Sequence, residues 1–316
     1  MFLRLLCIVL LAVSLSGLRA SSPEHIKLLT IGNSFAWNAT EFLPDLARAA
    51  GKSVDICPVN LSSRSLEQHA SYLRANEANP DDPAGKPYTN FRSPGREKMS
   101  FKEALQSEKW DVVTIQQASS LSFQANTYEP YATELIAAVR KYAPSARILV
   151  FETWAYREDH KAFSNGTFSQ QAMHEQLVAA YRKVAETHGL SLIPVGEAFG
   201  AARKDARWTF QFPDADFDYV DPSKGRVPKQ PGSLNAGWVW EKNDAGQEEL
   251  RLDAIHANTA GKYLAAATFF EMLFGADVTP VSFAPVDLNA EDASRLRTIA
   301  HEAIAEDSRR RSTAGP

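Results

Sequence analysis

The sequence predicts an α/β protein, a three-layer α/β/α sandwich around a central parallel sheet of about five strands. Three observations carry this. Short runs rich in Ile, Val and Leu fall at 26–32, 54–60, 111–117, 147–153 and 191–195, the composition of strands buried on both faces. Stretches with helical spacing lie between them, at 41–50, 65–76, 128–142 and 170–188. Alternation of strand and helix calls for crossovers that place helices on both faces of one parallel sheet.

Each element has a local reason. The helix over 170–188 sets Leu177, Ala180, Tyr181 and Val184 on one face and stops at Gly189, a residue suited to the left-handed helix end. A helix over 258–274 opens at Asn258 or Thr259, either of which can cap it, and ends at Gly275. Residues 77–99, rich in Pro, Asp, Asn and Gly, read as a surface loop. Residues 205–250 hold Trp208, Phe210, Phe212, Phe217, Tyr219, Trp238 and Trp240 among Pro, Asp and Gly, an irregular insertion of a length that is usually functional. A last helix over 290–306 precedes the charged tail Asp307-Ser-Arg-Arg-Arg-Ser312, expected to be disordered. One domain is expected over 21–280, followed by this C-terminal helix and tail at 281–316.

Met1-Phe-Leu-Arg4, an uncharged apolar run from Leu5 to Leu18 and a small residue at Ala20 have the layout of a secretory signal peptide over residues 1–20. The run is too short for a membrane span, which needs about 20 apolar residues. Export to the periplasm or the outside is therefore expected. The net charge of −4 becomes more negative once the two leader arginines are removed, and there is no basic tract. That leaves no electrostatic reason to bind nucleic acid. Cys7 leaves with the leader, so Cys57 stands alone and no internal disulfide is possible. Its apolar neighbours, Val54-Asp-Ile-Cys-Pro-Val59, make it a buried structural thiol rather than a nucleophile.

The chemistry centres on Ser34. Gly32-Asn33-Ser34-Phe35 follows the first strand, where open α/β sheets place reactive groups. Taken alone these are ordinary turn residues. Asp253-Ala-Ile-His256, on a loop entering the last helix of the domain, changes the weight. At that spacing the carboxylate can turn back to one ring nitrogen of His256 and leave the other free to take the serine proton. Trp37, Trp154 and Tyr156 are candidate substrate walls, with core packing as an equal alternative. His69 faces the same sheet edge or a helix surface. Asp214, Asp216, Asp218 and Asp221 alternate as in a calcium loop, but the glycine and distal glutamate of an EF-hand are missing, so a solvated acidic loop is expected. No Gly-x-Gly-x-x-Gly or P-loop is present, and no metal or other cofactor is expected.

The two blocks Gly32-Asn33-Ser34-Phe35 and Leu252-Asp-Ala-Ile-His-Ala-Asn-Thr-Ala-Gly261, in this order, resemble the SGNH (GDSL-like) hydrolase superfamily over about residues 26–275. The resemblance implies an SGNH/flavodoxin-like fold and two-step acyl transfer by Ser34, His256 and Asp253. The family's glycine after its second strand is replaced by a loop, Asn60-Leu-Ser-Ser-Arg64, in which the N–H of Ser62 or Ser63 can bind the oxyanion. Its Gly-x-Asn-Asp block is replaced by Ile115-Gln-Gln-Ala-Ser119, in which Gln117 or Gln116 can offer an amide donor. The implied oxyanion hole is Ser34, Ser63 and Gln117, with Asn33 and Gln116 nearby for substrate. The chain is expected to be a divergent bacterial branch of the superfamily. Three functions remain open: an exported carboxylic-ester hydrolase acting on a small or polysaccharide ester such as an O-acetylated sugar, a glycan-binding module that has lost catalysis, and a lipase or thioesterase for longer acyl chains.

Overall fold

The first apolar run forms β1 (His25–Gly32), and the chain turns at once into α1 (Ser34–Thr40) and α2 (Leu43–Ala49) before β2 (Ser53–Asn60). The fold is a computed structural model, which describes residues 22–220, 222 and 225–313. The leader with Cys7, and Asp221 of the acidic loop, lie outside the described residues. There follow α3 (Leu66–Ala78), β3 (Tyr88–Thr89), β4 (Lys98–Met99), α4 (Phe101–Gln106), β5 (Val112–Ile115), α5 (Tyr131–Tyr142) and β6 (Arg147–Phe151). The chain continues through α6 (Gln170–His188), β7 (Ser191–Ile193), α7 (Val195–Ala202), β8 (Asn235–Lys242), β9 (Glu248–Ala257), α8 (Thr259–Phe274) and α9 (Ala290–Thr313).

Five parallel strands form the central sheet in the order β2-β1-β5-β6-β7. Counting only these strands, the order is 2-1-3-4-5, the doubly wound flavodoxin-like order, whose crevice opens where neighbouring strands send their connections opposite ways. That point lies at the carboxyl ends of β1 and β5, directly before Asn33-Ser34 and Gln116-Gln117. Helices α1, α2, α7, α8 and α9 pack together on one face and α3, α4 and α5 on the other. Helix α8 is apolar almost all round and accordingly buried, with Phe269 edge-on to Phe151 of β6 at 4.9 Å. Cys57 is a buried free thiol in β2 whose pKa is raised by burial, against a smaller opposing pull from Arg92.

Four expectations change. The helix expected at 41–50 is α2 alone, over Leu43–Ala49 with Pro44 in its first turn, and a second short helix that was not expected, α1, precedes it over Ser34–Thr40. The segment 77–99 is not wholly a surface loop: β3 pairs with β4 and carries Tyr88 and Met99 into the core. The segment 205–250 is irregular only to its middle, after which β8 and β9 form an antiparallel hairpin. The charged tail is helical to Thr313. Arg310 pairs with Glu197, and Arg311 meets Asp307 at 3.0 Å, so its arginines face carboxylates rather than one another.

Candidate active site

Ser34 is the first residue of α1, capped by Asn33, whose Oδ1 accepts from the Phe35 N–H at 3.1 Å. The cap fixes the turn at the end of β1 and leaves the Ser34 N–H at an open helix start. From the other end of the domain, β9 brings in Asp253 and His256. Ser34 Oγ lies 2.8 Å from His256 Nε2, and His256 Nδ1 lies 2.8 Å from Asp253 Oδ2. These residues sit on the last strand of the hairpin rather than on a loop opening a helix. α8 begins only at Thr259, behind the cap Asn258. Asp253 Oδ1 accepts the N–H groups of Ile255 and His256 at 3.1 and 2.9 Å. Burial alone would raise the Asp253 carboxyl; the hydrogen bonds from the His256 ring and from these two N–H groups outweigh it and hold the carboxyl below its ordinary range. A carboxylate gripping one imidazole nitrogen leaves the other suited to accept a proton from Ser34.

Ser63 has φ +59°, a left-handed conformation that favours glycine. Among the described residues no acceptor takes the N–H of Ser34 or Ser63.

The two glutamines differ from expectation. Gln117 is fully buried and spends its amide internally. Its Oε1 accepts from Leu66 and Ala118 N–H, and its Nε2 donates to both Thr127 O and Thr127 Oγ1. It therefore has no donor to spare for an oxyanion. Gln116 lies across Gly32, where a Cβ would come within 2.5 Å of its Cγ. It donates from Nε2 to Asn33 Oδ1 at 2.9 Å, and its buried Oε1 has no partner among the described residues. Asn33, 2% exposed, has its amide committed to Phe35, Gln116 and Arg64 and does not line an open cleft.

Trp154 and Tyr156 are not walls of the site. Trp154 is fully buried, stacked between Phe35 at 4.3 Å and Phe199 at 4.7 Å, with its indole N–H on Ile255 O. Tyr156 is 6% exposed and donates to Ser119 Oγ. Trp37 does line the site. An open cleft of about 430 Å³ is bordered by Ser34, Trp37, Asn38, Trp240, Asp253 and His256. Trp240, on the hairpin, has its indole N–H on Arg226 O. Asn38 accepts the Ala257 N–H at 3.0 Å, tying α1 to β9. Neither Trp240 nor Asn38 was singled out as a site residue from the sequence. Trp240 belongs to the aromatic run at 205–250, but only the hairpin pairing brings it to Ser34. In the acidic loop, Asp214 and Asp218 accept N–H groups two residues on.

The fold and this geometry define a doubly wound α/β protein with Ser34, His256 and Asp253 hydrogen-bonded in a row at its switch point. The chain belongs to the family described as "Domain of unknown function (DUF4886)", whose profile matches residues 27–217. A DUF4886 family protein from Bacteroides uniformis has 27% identity, with 89% of this chain and 95% of that chain covered and a TM-score of 0.67. A proposed SGNH hydrolase from Slackia heliotrinireducens has 20% identity, with 78% and 98% covered and a TM-score of 0.46. A proposed GDSL-like lipase from Parabacteroides merdae has 13% identity, with 81% and 97% covered and a TM-score of 0.43. No curated protein matches the sequence.

Proposed function

We propose that this protein is an exported serine hydrolase that cleaves carboxylic esters by two-step acyl transfer. The observation that carries the reading is the continuous relay Ser34 Oγ–His256–Asp253 with both links at 2.8 Å. In the first step Ser34 Oγ attacks the ester carbonyl while His256 Nε2 takes its proton. Asp253 holds the imidazole by Nδ1 and stabilises the cation that forms. The imidazolium then protonates the leaving alcohol. In the second step His256 deprotonates a water, which attacks the acyl-serine and releases the acid.

The oxyanion is assigned to the uncommitted N–H groups of Ser34 and Ser63, with Gln116 in place of Gln117 as the side-chain donor. Gln116 Nε2 has a second N–H beyond the one on Asn33, and the residue packs at the base of the nucleophile turn. A short acyl group on a carbohydrate fits an open cleft bordered by Trp37 and Trp240, since indole faces take the apolar faces of sugar rings. Export follows from the leader over residues 1–20. Among the described residues no helix is long and apolar enough to cross a membrane.

The test is hydrolysis of a short-chain chromogenic acetate by residues 21–316 beside Ser34→Ala, followed by a series of longer acyl chains. Turnover that is lost in the variant and falls with chain length is expected. Equal rates in both proteins, or a preference for long chains, would overturn the serine assignment or the short-acyl assignment respectively.

A further inference from the structure

One buried histidine takes no part in the relay. His69 is fully buried on α3, and its Nε2 lies 3.0 Å from the carbonyl oxygen of Gly32, the last residue of β1. A carbonyl can only accept, which assigns the ring proton to Nε2. Nδ1 must then accept, and its partner at 2.7 Å is the hydroxyl of Tyr88, itself fully buried. The two rings stack at 5.7 Å and 8°. Tyr72 meets both edge-on, and its hydroxyl takes Arg64 Nε–H at 3.1 Å.

The Gly32 carbonyl is a junction. It also accepts the Leu61 N–H at 3.0 Å. It therefore joins the turn that presents Ser34 to the loop that presents Ser63. Asn33 Nδ2 adds a third link, to Arg64 O at 3.3 Å. Rotation of the Gly32–Asn33 peptide would move the Ser34 N–H relative to the Ser63 N–H. The His69 hydrogen bond opposes that rotation from beneath.

We propose that His69, with its tautomer set by the Gly32 carbonyl and its Nδ1 held by Tyr88, is a positioning residue that aligns the Ser34 and Ser63 turns for catalysis. This rests on the serine hydrolase reading above. Burial lowers the His69 pKa to about 4, the Gly32 carbonyl opposing and Arg64 adding to the fall, so the ring is the neutral tautomer the geometry requires across neutral pH. Misplacement of reacting groups by an ångström costs about 10²-fold in rate, whereas the substrate cleft lies on the hairpin side and does not include His69. The expected signature is a loss in kcat with KM held.

The experiment compares wild type, Ser34→Ala, His69→Gln and the double variant His69→Leu/Tyr88→Phe on a short-chain chromogenic ester. The double variant removes both partners of the buried hydrogen bond, so no orphaned hydroxyl is left to unfold it. We expect its kcat to fall about 10- to 100-fold with KM within about 2-fold. His69→Gln, which keeps an N–H donor, recovers most of that loss. Nitrogen-15 NMR of the wild-type ring at neutral pH should show the proton on Nε2. A folded double variant with wild-type kcat, or a ring protonated on Nδ1, overturns the proposal while leaving Ser34 intact. A wild type no faster than Ser34→Ala removes the hydrolase reading and this inference with it.

Discussion

Gln116 donates its amide to Asn33 Oδ1 at 2.9 Å, and Asn33 uses the same oxygen to cap the helix that begins at Ser34. The strand-end glutamine of β5 and the strand-end asparagine of β1 thus form one unit across the switch point. Gly32 makes this possible, because a side chain there would occupy the space Gln116 fills.

Gln116→Ala should lower kcat by about 10²-fold on the assignment of its spare N–H to the oxyanion. Gln117→Ala should act differently. It strands the N–H groups of Leu66 and Ala118 and the Thr127 carbonyl, a loss of about 1–3 kcal/mol in stability for a buried polar group left unpaired. Steady-state kinetics and denaturant melts of the two variants separate the roles. A Gln117→Ala protein of normal stability but no activity would reverse the assignment.

Asp253→Asn should reduce kcat by about 10⁴-fold with little change in KM. The amide no longer accepts the ring N–H in the orientation the relay needs.

Trp154→Ala should destabilise the fold by about 3–5 kcal/mol, since it removes the middle ring of the Phe35–Trp154–Phe199 stack. Trp37→Ala and Trp240→Ala should leave the melting temperature nearly unchanged and raise KM for a sugar ester. Thermal melts and kinetics on all three variants check this. A Trp154→Ala protein that folds normally but binds substrate poorly would restore Trp154 to the site.

Stability should fall as the pH drops from about 6.5 to about 4, and His69 should be one cause. The folded-state pKa of about 4 lies below the ordinary 6.5, so in that window the unfolded chain binds the extra proton. The difference corresponds to about 3 kcal/mol, fully present above pH 6.5 and gone below the folded value. Asp253 acts in the same direction at lower pH, because its depressed pKa makes its contribution disappear as the carboxyl is protonated. Urea melts of wild type and His69→Gln across this range should converge at low pH. Parallel slopes would show that His69 is not the titrating group.

The sequence by itself determined the strands and their parallel arrangement, because a strand buried on both faces must be apolar throughout and a helix must show its period. It also determined Ser34, Asp253 and His256 as candidates. Their chemical types and their positions beside strand and helix boundaries are local properties.

Tertiary structure decided which neighbours each polar side chain meets. Gln116 and Gln117 are the same residue type one position apart. Successive positions project differently, so one joins Asn33 while the other fills its hydrogen bonds with Leu66, Ala118 and Thr127. Trp37 and Trp154 are both aromatic and near the sheet edge in sequence, yet one borders the cleft and the other is sealed between two phenylalanines. Ser63 takes the left-handed shape without the glycine that would have announced it. Tyr88 sits in a polar stretch that reads as a loop, and only the pairing of β3 with β4 carries it under the nucleophile turn to His69. Hydrogen-bond partners and burial depend on residues tens to hundreds of positions away, as His256 and Ser34 themselves show at a separation of 222. A linear pattern records what a residue is and how it repeats; only the packed chain fixes what it touches.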